Sequence, residues 1–146
     1  MPTLYTIGFT GKSARQFFKL LQDADVTTLT DTRINHTSQL SGFAKSSDLA
    51  FFAKAVGNIC YEHQLEFAPT KELLVRYRAQ KMSWQEYETE YLNLLDLRKV
   101  SAKIDVESLH RHCLLCSEHS PEQCHRRLLA EYFQQKFSDV EIVHLI

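Results

Sequence analysis

The stretch LYTIGFTGKSARQFFKLLQDADVTTLTDTR, residues 4–33, decides the fold class. Leu4-Tyr5-Thr6-Ile7-Gly8-Phe9 is a short apolar run rich in β-branched and aromatic residues, stopped by the Gly8…Gly11 region, and reads as a buried strand. Ser13 followed three residues later by Gln16 has the form of a capping box, and Phe17, Leu20, Leu21 and Ala24 continue at helical spacing. Val26-Thr27-Thr28-Leu29-Thr30 reads as a second strand that runs into Asp31-Thr32-Arg33. Strand, capped helix and strand within about thirty residues predict a right-handed βαβ unit.

The pattern extends down the chain. Residues Ile34 to Lys45 have no periodicity and read as a loop. Ser46 or Ser47 is expected to cap a helix to Val56, with Gly57 just past its end. Ile59-Cys60-Tyr61-Glu62-His63 is a third strand. Thr70 caps a helix over Lys71 to Arg78, and Ser83 with Glu86 forms a capping box that opens the longest helix, to about Arg98. Its Trp84, Tyr87, Tyr91, Leu94 and Leu95 share one face and read as core. Asp105 is expected to cap a short helix. Cys113-Leu114-Leu115-Cys116-Ser117 is a fourth strand and Val140 to Ile146 a fifth. Between them, Ser120-Pro121-Glu122-Gln123 has the form of a helix start, which places Cys124 about one turn inside the helix. The expectation is one α/β domain over residues 1–146, an open, mostly parallel sheet of about four or five strands with helices on both faces.

Length and composition agree with a single domain. The chain has 146 residues, 44% hydrophobic and 24% charged, which fits a globular core rather than a disordered or collagen-like chain. Seventeen Lys and Arg against eighteen Asp and Glu exclude a strongly basic nucleic-acid coat, though not a local basic patch. The first twenty residues carry Lys12, Arg15 and Lys19, so they form neither a signal peptide nor a membrane span. Four clustered cysteines do not suggest a secreted disulfide scaffold. These readings point to a cytoplasmic protein with reduced thiols and no membrane partner.

Ligands of open parallel sheets bind outside the carboxyl ends of the strands. Asp31 and Arg33 follow the second strand, Glu118 follows the fourth, and Cys124, His125 and Arg126 come soon after. Asp31, Glu118, Cys124 and His125 are therefore the candidate catalytic residues, and Arg33 and Arg126 the candidates for holding an anion. Near a helix start, Cys124 is expected to titrate below the ~8.5 of a free thiol and to serve as nucleophile or its support. Asp31 with Arg33 also fits a plain ion pair. The spacing Cys113-x2-Cys116-x7-Cys124-His125 invites a zinc reading, but strand alternation turns Cys113 and Cys116 to opposite faces. No metal site is expected from the full set; a smaller one from Cys116, Glu118, Cys124 and His125 stays open as the alternative. Thr10-Gly11-Lys12-Ser13 imitates the end of a P-loop without its leading glycine.

Thr6-Ile7-Gly8, Asp31-Thr32-Arg33, Leu114-Leu115-Cys116-Ser117-Glu118 and Pro121-x-x-Cys124-His125-Arg126 resemble the motifs of the family known as domain of unknown function 488. The resemblance spans nearly the whole chain. It implies a small α/β protein with polar motif residues at Asp31, Arg33, Cys116, Glu118, Cys124, His125 and Arg126. Phe9 stands where the family usually has His or Tyr, and His36 where it usually has Pro, while Ser38 matches and joins the candidate substrate-binding residues. No activity and no cofactor come with the resemblance. Three functions remain: a small hydrolase or transferase acting on an anionic molecule, a nucleotide or a nucleic-acid end; a nucleotide or metal sensor with the same pocket; or a buried polar network that fixes strand against helix.

Overall fold

In a computed structural model of the chain, which describes residues 1–34, 43–118 and 120–146, five strands form one parallel sheet. They are β1 (Thr3–Gly8), β2 (Thr28–Asp31), β3 (Cys60–His63), β4 (His112–Cys116) and β5 (Glu141–Leu145), in the spatial order β3-β2-β4-β1-β5. Register runs Thr6 to Leu114 and Gly8 to Cys116 between β1 and β4, and Asp31 to Leu115 between β2 and β4. The described helices are α1 (Ala14–Asp23), α2 (Ser46–Gly57), α3 (Lys71–Arg78), α4 (Trp84–Leu97) and α5 (His125–Phe137), with short 3-10 turns between β3 and α3 and between α4 and β4.

Helices cover both faces. Phe17, Phe18 and Leu21 of α1 and Leu49 and Ala53 of α2 pack with Ile7, Leu29, Cys113 and Leu115 on one side of the sheet. Leu73, Tyr87, Tyr91, Leu95, Leu128, Leu129 and Phe133 from α3, α4 and α5 pack with Leu4 and Leu114 on the other. Alternation along β4 thus sends Leu114 one way and Cys113 and Leu115 the other. Burying each such Leu or Phe contributes ~1.5–3 kcal/mol, and this burial holds the three layers together.

Most helix starts follow the local chemistry. Ser13 and Gln16, and Ser83 and Glu86, form complete capping boxes, and the Thr70 side chain accepts the Leu73 N–H. Three expectations need correction. Helix α2 begins at Ser46 with Lys45 as its cap, and Asn58, not Gly57, takes the left-handed position at φ 53°. Gly57 stays helical, and a Cβ there would meet the Ile59 side chain at 2.9 Å. The expected helix after Asp105 is only a 3-10 turn, Val106–Leu109.

The third correction reshapes the site. Helix α5 starts at His125, with Cys124 as an extended N-cap at φ −137°, ψ 140°. Ser120 closes a local turn by accepting the Glu122 N–H at 3.3 Å. Gln123, which would complete a capping box, instead accepts the Tyr77 hydroxyl at 3.2 Å. A tertiary contact has taken the side chain that would have capped the helix.

Candidate functional site

Strand order sets the place of the site. After β4 the chain enters α5 on one face, while after its neighbours β1 and β2 it passes to α1 and α2 on the opposite face. Chains diverging from adjacent parallel strands leave a crevice at their carboxyl ends. Here that crevice is a cleft of about 460 Å³ whose lining includes Cys116, Ser117, Glu118, Cys124 and His125.

Three side chains form its floor. Cys116 Sγ lies 3.6 Å from His125 Nδ1. His125 Nε2 meets the Thr32 backbone oxygen at 2.8 Å and the Thr32 hydroxyl at 3.0 Å. That hydroxyl donates to the Leu115 oxygen at 2.8 Å. A carbonyl only accepts, so Nε2 carries a proton and Nδ1 faces Cys116, placed to take the proton the thiol gives up. The Tyr91 ring meets the imidazole edge-on, centroids 5.5 Å apart, and limits its rotation. Ligand atoms of Cys116, Cys124 and His125 lie within 4.8 Å of one another, and all three residues are buried.

The thiols titrate in opposite directions. Cys116 is held well below the ordinary thiol value, first by the hydrogen bond from Cys124, then by His125 and Arg126, against the cost of burial. Cys124 is pushed well up, by burial first and then by the neighbouring Cys116. This corrects the expectation for Cys124. As N-cap it turns its sulfur toward Cys116, and two thiolates side by side in a buried site repel, so one keeps its proton. Burial opposes a charged His125, yet the Cys116 sulfur raises its pKa overall.

The remaining candidates occupy distinct positions. Asp31 is fully buried and its carboxylate is engaged: Oδ1 accepts Arg33 Nε at 2.9 Å and the Arg33 N–H at 3.1 Å, and Oδ2 accepts Arg33 Nη2 at 2.8 Å and the Tyr61 hydroxyl at 2.5 Å. Arg33, 4% exposed, spends Nη2 also on the Ala44 oxygen and lies over the Phe9 ring at 5.2 Å. It lines the cleft, and its buried Nη1 has no hydrogen-bond partner among the described residues. Arg126 is fully buried and donates to the Glu118 backbone oxygen at 2.5 Å and toward Cys124 Sγ at 3.6 Å. The same Glu118 oxygen would lie 1.5 Å from a Cβ on Gly8, so only glycine fits the end of β1. Ser38 lies outside the described residues.

Two groups escaped the sequence reading. Thr32 holds His125, although its only signal was its place inside Asp31-Thr32-Arg33. Cys116 is among the motif residues the resemblance implies and is a candidate metal ligand, but the sequence does not single it out as a reactive thiol. The aromatic stripe of α4 is core at Tyr91, yet Trp84 and Tyr87 stack at 5.2 Å and, with Tyr77 and Arg78 of α3, also line the cleft. Cys116, Cys124 and His125 are a donor set that suits a thiophilic cation such as zinc. Cys113 lies on the other face of the sheet.

Fold and site define a three-layer α/β protein with a Cys-Cys-His cluster at the carboxyl edge of a parallel sheet. The chain belongs to the family described as domain of unknown function DUF488, whose model matches residues 13–133. Neither curated proteins nor solved structures gave a match. No helix among the described residues is long and apolar enough to cross a membrane.

Proposed function

We propose that this protein is a thiol-dependent hydrolase or transferase in which Cys116 is the nucleophile and His125 carries the proton. The observation that carries this reading is the chain of contacts Cys116 Sγ, His125 Nδ1, His125 Nε2 and the Thr32 oxygen, at 3.6 and 2.8 Å. A nucleophile facing a base that a third group orients is the arrangement that activates a thiol. The Cys116 proton passes to Nδ1, the sulfur attacks an electrophilic centre of the substrate, and Nδ1 then delivers that proton to the departing atom. In the second half, Nδ1 takes a proton from water or an acceptor, which then releases the group from sulfur. Cys124 donates to the Cys116 sulfur and stays a thiol. Asp31 and Arg126, both fully buried, are positioning residues: Asp31 fixes Arg33, and Arg126 fixes the Glu118 carbonyl.

The substrate is a small molecule with a planar part and an anionic part. Trp84, Tyr77 and Tyr87 offer ring surface, while Arg33 and Arg78 offer positive charge on the same cleft. A nucleotide or a nucleic-acid end meets that description. Glu118 lines the cleft as a second acid or base. The test uses nitrophenyl esters carrying a carboxylate or a phosphate. A burst of nitrophenolate equal to the enzyme concentration, lost in Cys116→Ser and kept in Cys60→Ser, supports a covalent intermediate on Cys116. Equal bursts from wild type and Cys116→Ser overturn it.

A further inference from the structure

Cys124 has no step of its own in that chemistry, yet its sulfur sits beside the nucleophile on the cleft floor. Ligand atoms of the two cysteines lie within 4.8 Å, and both residues line the cleft at 5% and 3% exposure. The other thiols are placed elsewhere. Cys113 is buried on the opposite face of the sheet, and Cys60 is exposed at the start of β3, the far end of the strands from Cys116.

We propose that Cys116 is a site of oxidation by hydroperoxides, and that Cys124 resolves it as an intramolecular disulfide that reversibly closes the enzyme. The inference rests on the reading of Cys116 as nucleophile. In the first step the Cys116 thiolate attacks the terminal oxygen of the hydroperoxide. The O–O bond breaks, the alkoxide leaves and takes a proton, and sulfur is oxidised by two electrons to the sulfenic acid. In the second step the Cys124 sulfur gives up its proton and attacks the sulfenic sulfur. The S–S bond forms, the S–O bond breaks, and hydroxide leaves as water. An external dithiol reverses the change by thiol–disulfide exchange.

The fold favours this outcome over further oxidation. Cys124 is an extended N-cap just outside α5, so its side chain turns toward its partner without unwinding the helix. Disulfide geometry needs Cβ atoms about 3.5–4.5 Å apart, which side chains already in contact reach through rotamer changes and small backbone shifts.

The test treats the full-length protein with hydrogen peroxide and follows free thiols, intact mass and peptide maps. The wild-type count is expected to fall from four to two, with a mass loss of two hydrogens, a 116–124 crosslinked peptide, and full recovery in dithiothreitol. Cys124→Ser is expected to gain oxygen at Cys116, trapped by dimedone and passing on to the sulfinic acid. A disulfide through Cys60 or Cys113, or oxygen addition at wild-type Cys116 with no crosslink, overturns the inference. Alkylation by iodoacetamide in parallel separates it from the underlying reading. Fast alkylation of Cys116 without a crosslink sinks the disulfide alone, whereas an unreactive Cys116 in a folded protein sinks both.

Discussion

His125 Nδ1 stands 3.6 Å from Cys116 Sγ while Nε2 of the same ring meets the Thr32 oxygen at 2.8 Å, so one imidazole joins the ends of β2 and β4 to the start of α5. Thr32 comes to the ring from 93 residues away and Cys116 from nine, and that meeting distinguishes Cys116 from the other three thiols.

Alkylation of Cys116 should stay fast well below the ~8.5 of a free thiol, because its thiolate is favoured by the hydrogen bond from Cys124 and by His125. For a depressed thiol pKa the reactive anion persists as pH falls and is lost only through the lowered value. Cys124→Ser weakens the first cause and His125→Ala removes the second, so both should move the acid limb of the rate–pH curve upward. Iodoacetamide kinetics on each variant, with peptide mapping, checks this. An unmoved limb in both would refute the assignment.

Thr32→Val should separate orientation from stability. The backbone oxygen that holds His125 remains, while the hydroxyl bond to the Leu115 oxygen is lost. A loss of about 1 kcal/mol in urea unfolding is expected, with the Cys116 reactivity profile unchanged. A profile shifted as far as that of His125→Ala would mean the hydroxyl, not the carbonyl, orients the ring.

The Asp31–Arg33 pair is expected to behave as buried structure under the cleft. Asp31→Ala leaves the Arg33 charge buried without its carboxylate and should cost ~3–5 kcal/mol. Tyr61→Phe removes one charged hydrogen bond and should cost roughly 1.5–3 kcal/mol. Chemical denaturation measures both, and a near-neutral Asp31→Ala would contradict the pairing.

Gly8→Ala should damage fold and site together. The added Cβ would press on the Glu118 oxygen and sit 2.8 Å from Arg126 Nη1, forcing the loop after β4 to move. A loss of roughly 1–3 kcal/mol is expected, with slower Cys116 alkylation, read by thermal unfolding and by the same kinetics.

The architecture was legible in local patterns. Apolar runs such as Leu4 to Phe9, and caps such as Ser13 with Gln16, fix strands and helices through contacts a few residues apart. Alternation along β4 separates Cys113 from Cys116 by the same local rule. Four of the polar candidates, Arg33, Glu118, Cys124 and His125, do reach the cleft at the carboxyl edge. Asp31 and Arg126 are buried beside it.

Local pattern failed where a distant group competed for a side chain. Gln123 is taken by Tyr77, so α5 starts at His125 and Cys124 becomes an extended cap facing Cys116. Whether a thiol loses or keeps its proton depends on burial, on which ring faces it and on which neighbour donates to it. The sequence by itself determined the α/β class, the strand and helix order and the edge at which polar residues gather, because those follow from spacing along the chain. Only the tertiary structure decided that the pKa of Cys116 is lowered and that of Cys124 raised, because those directions rest on hydrogen bonds among residues 32, 116, 124 and 125, which only the packed sheet and helix bring together.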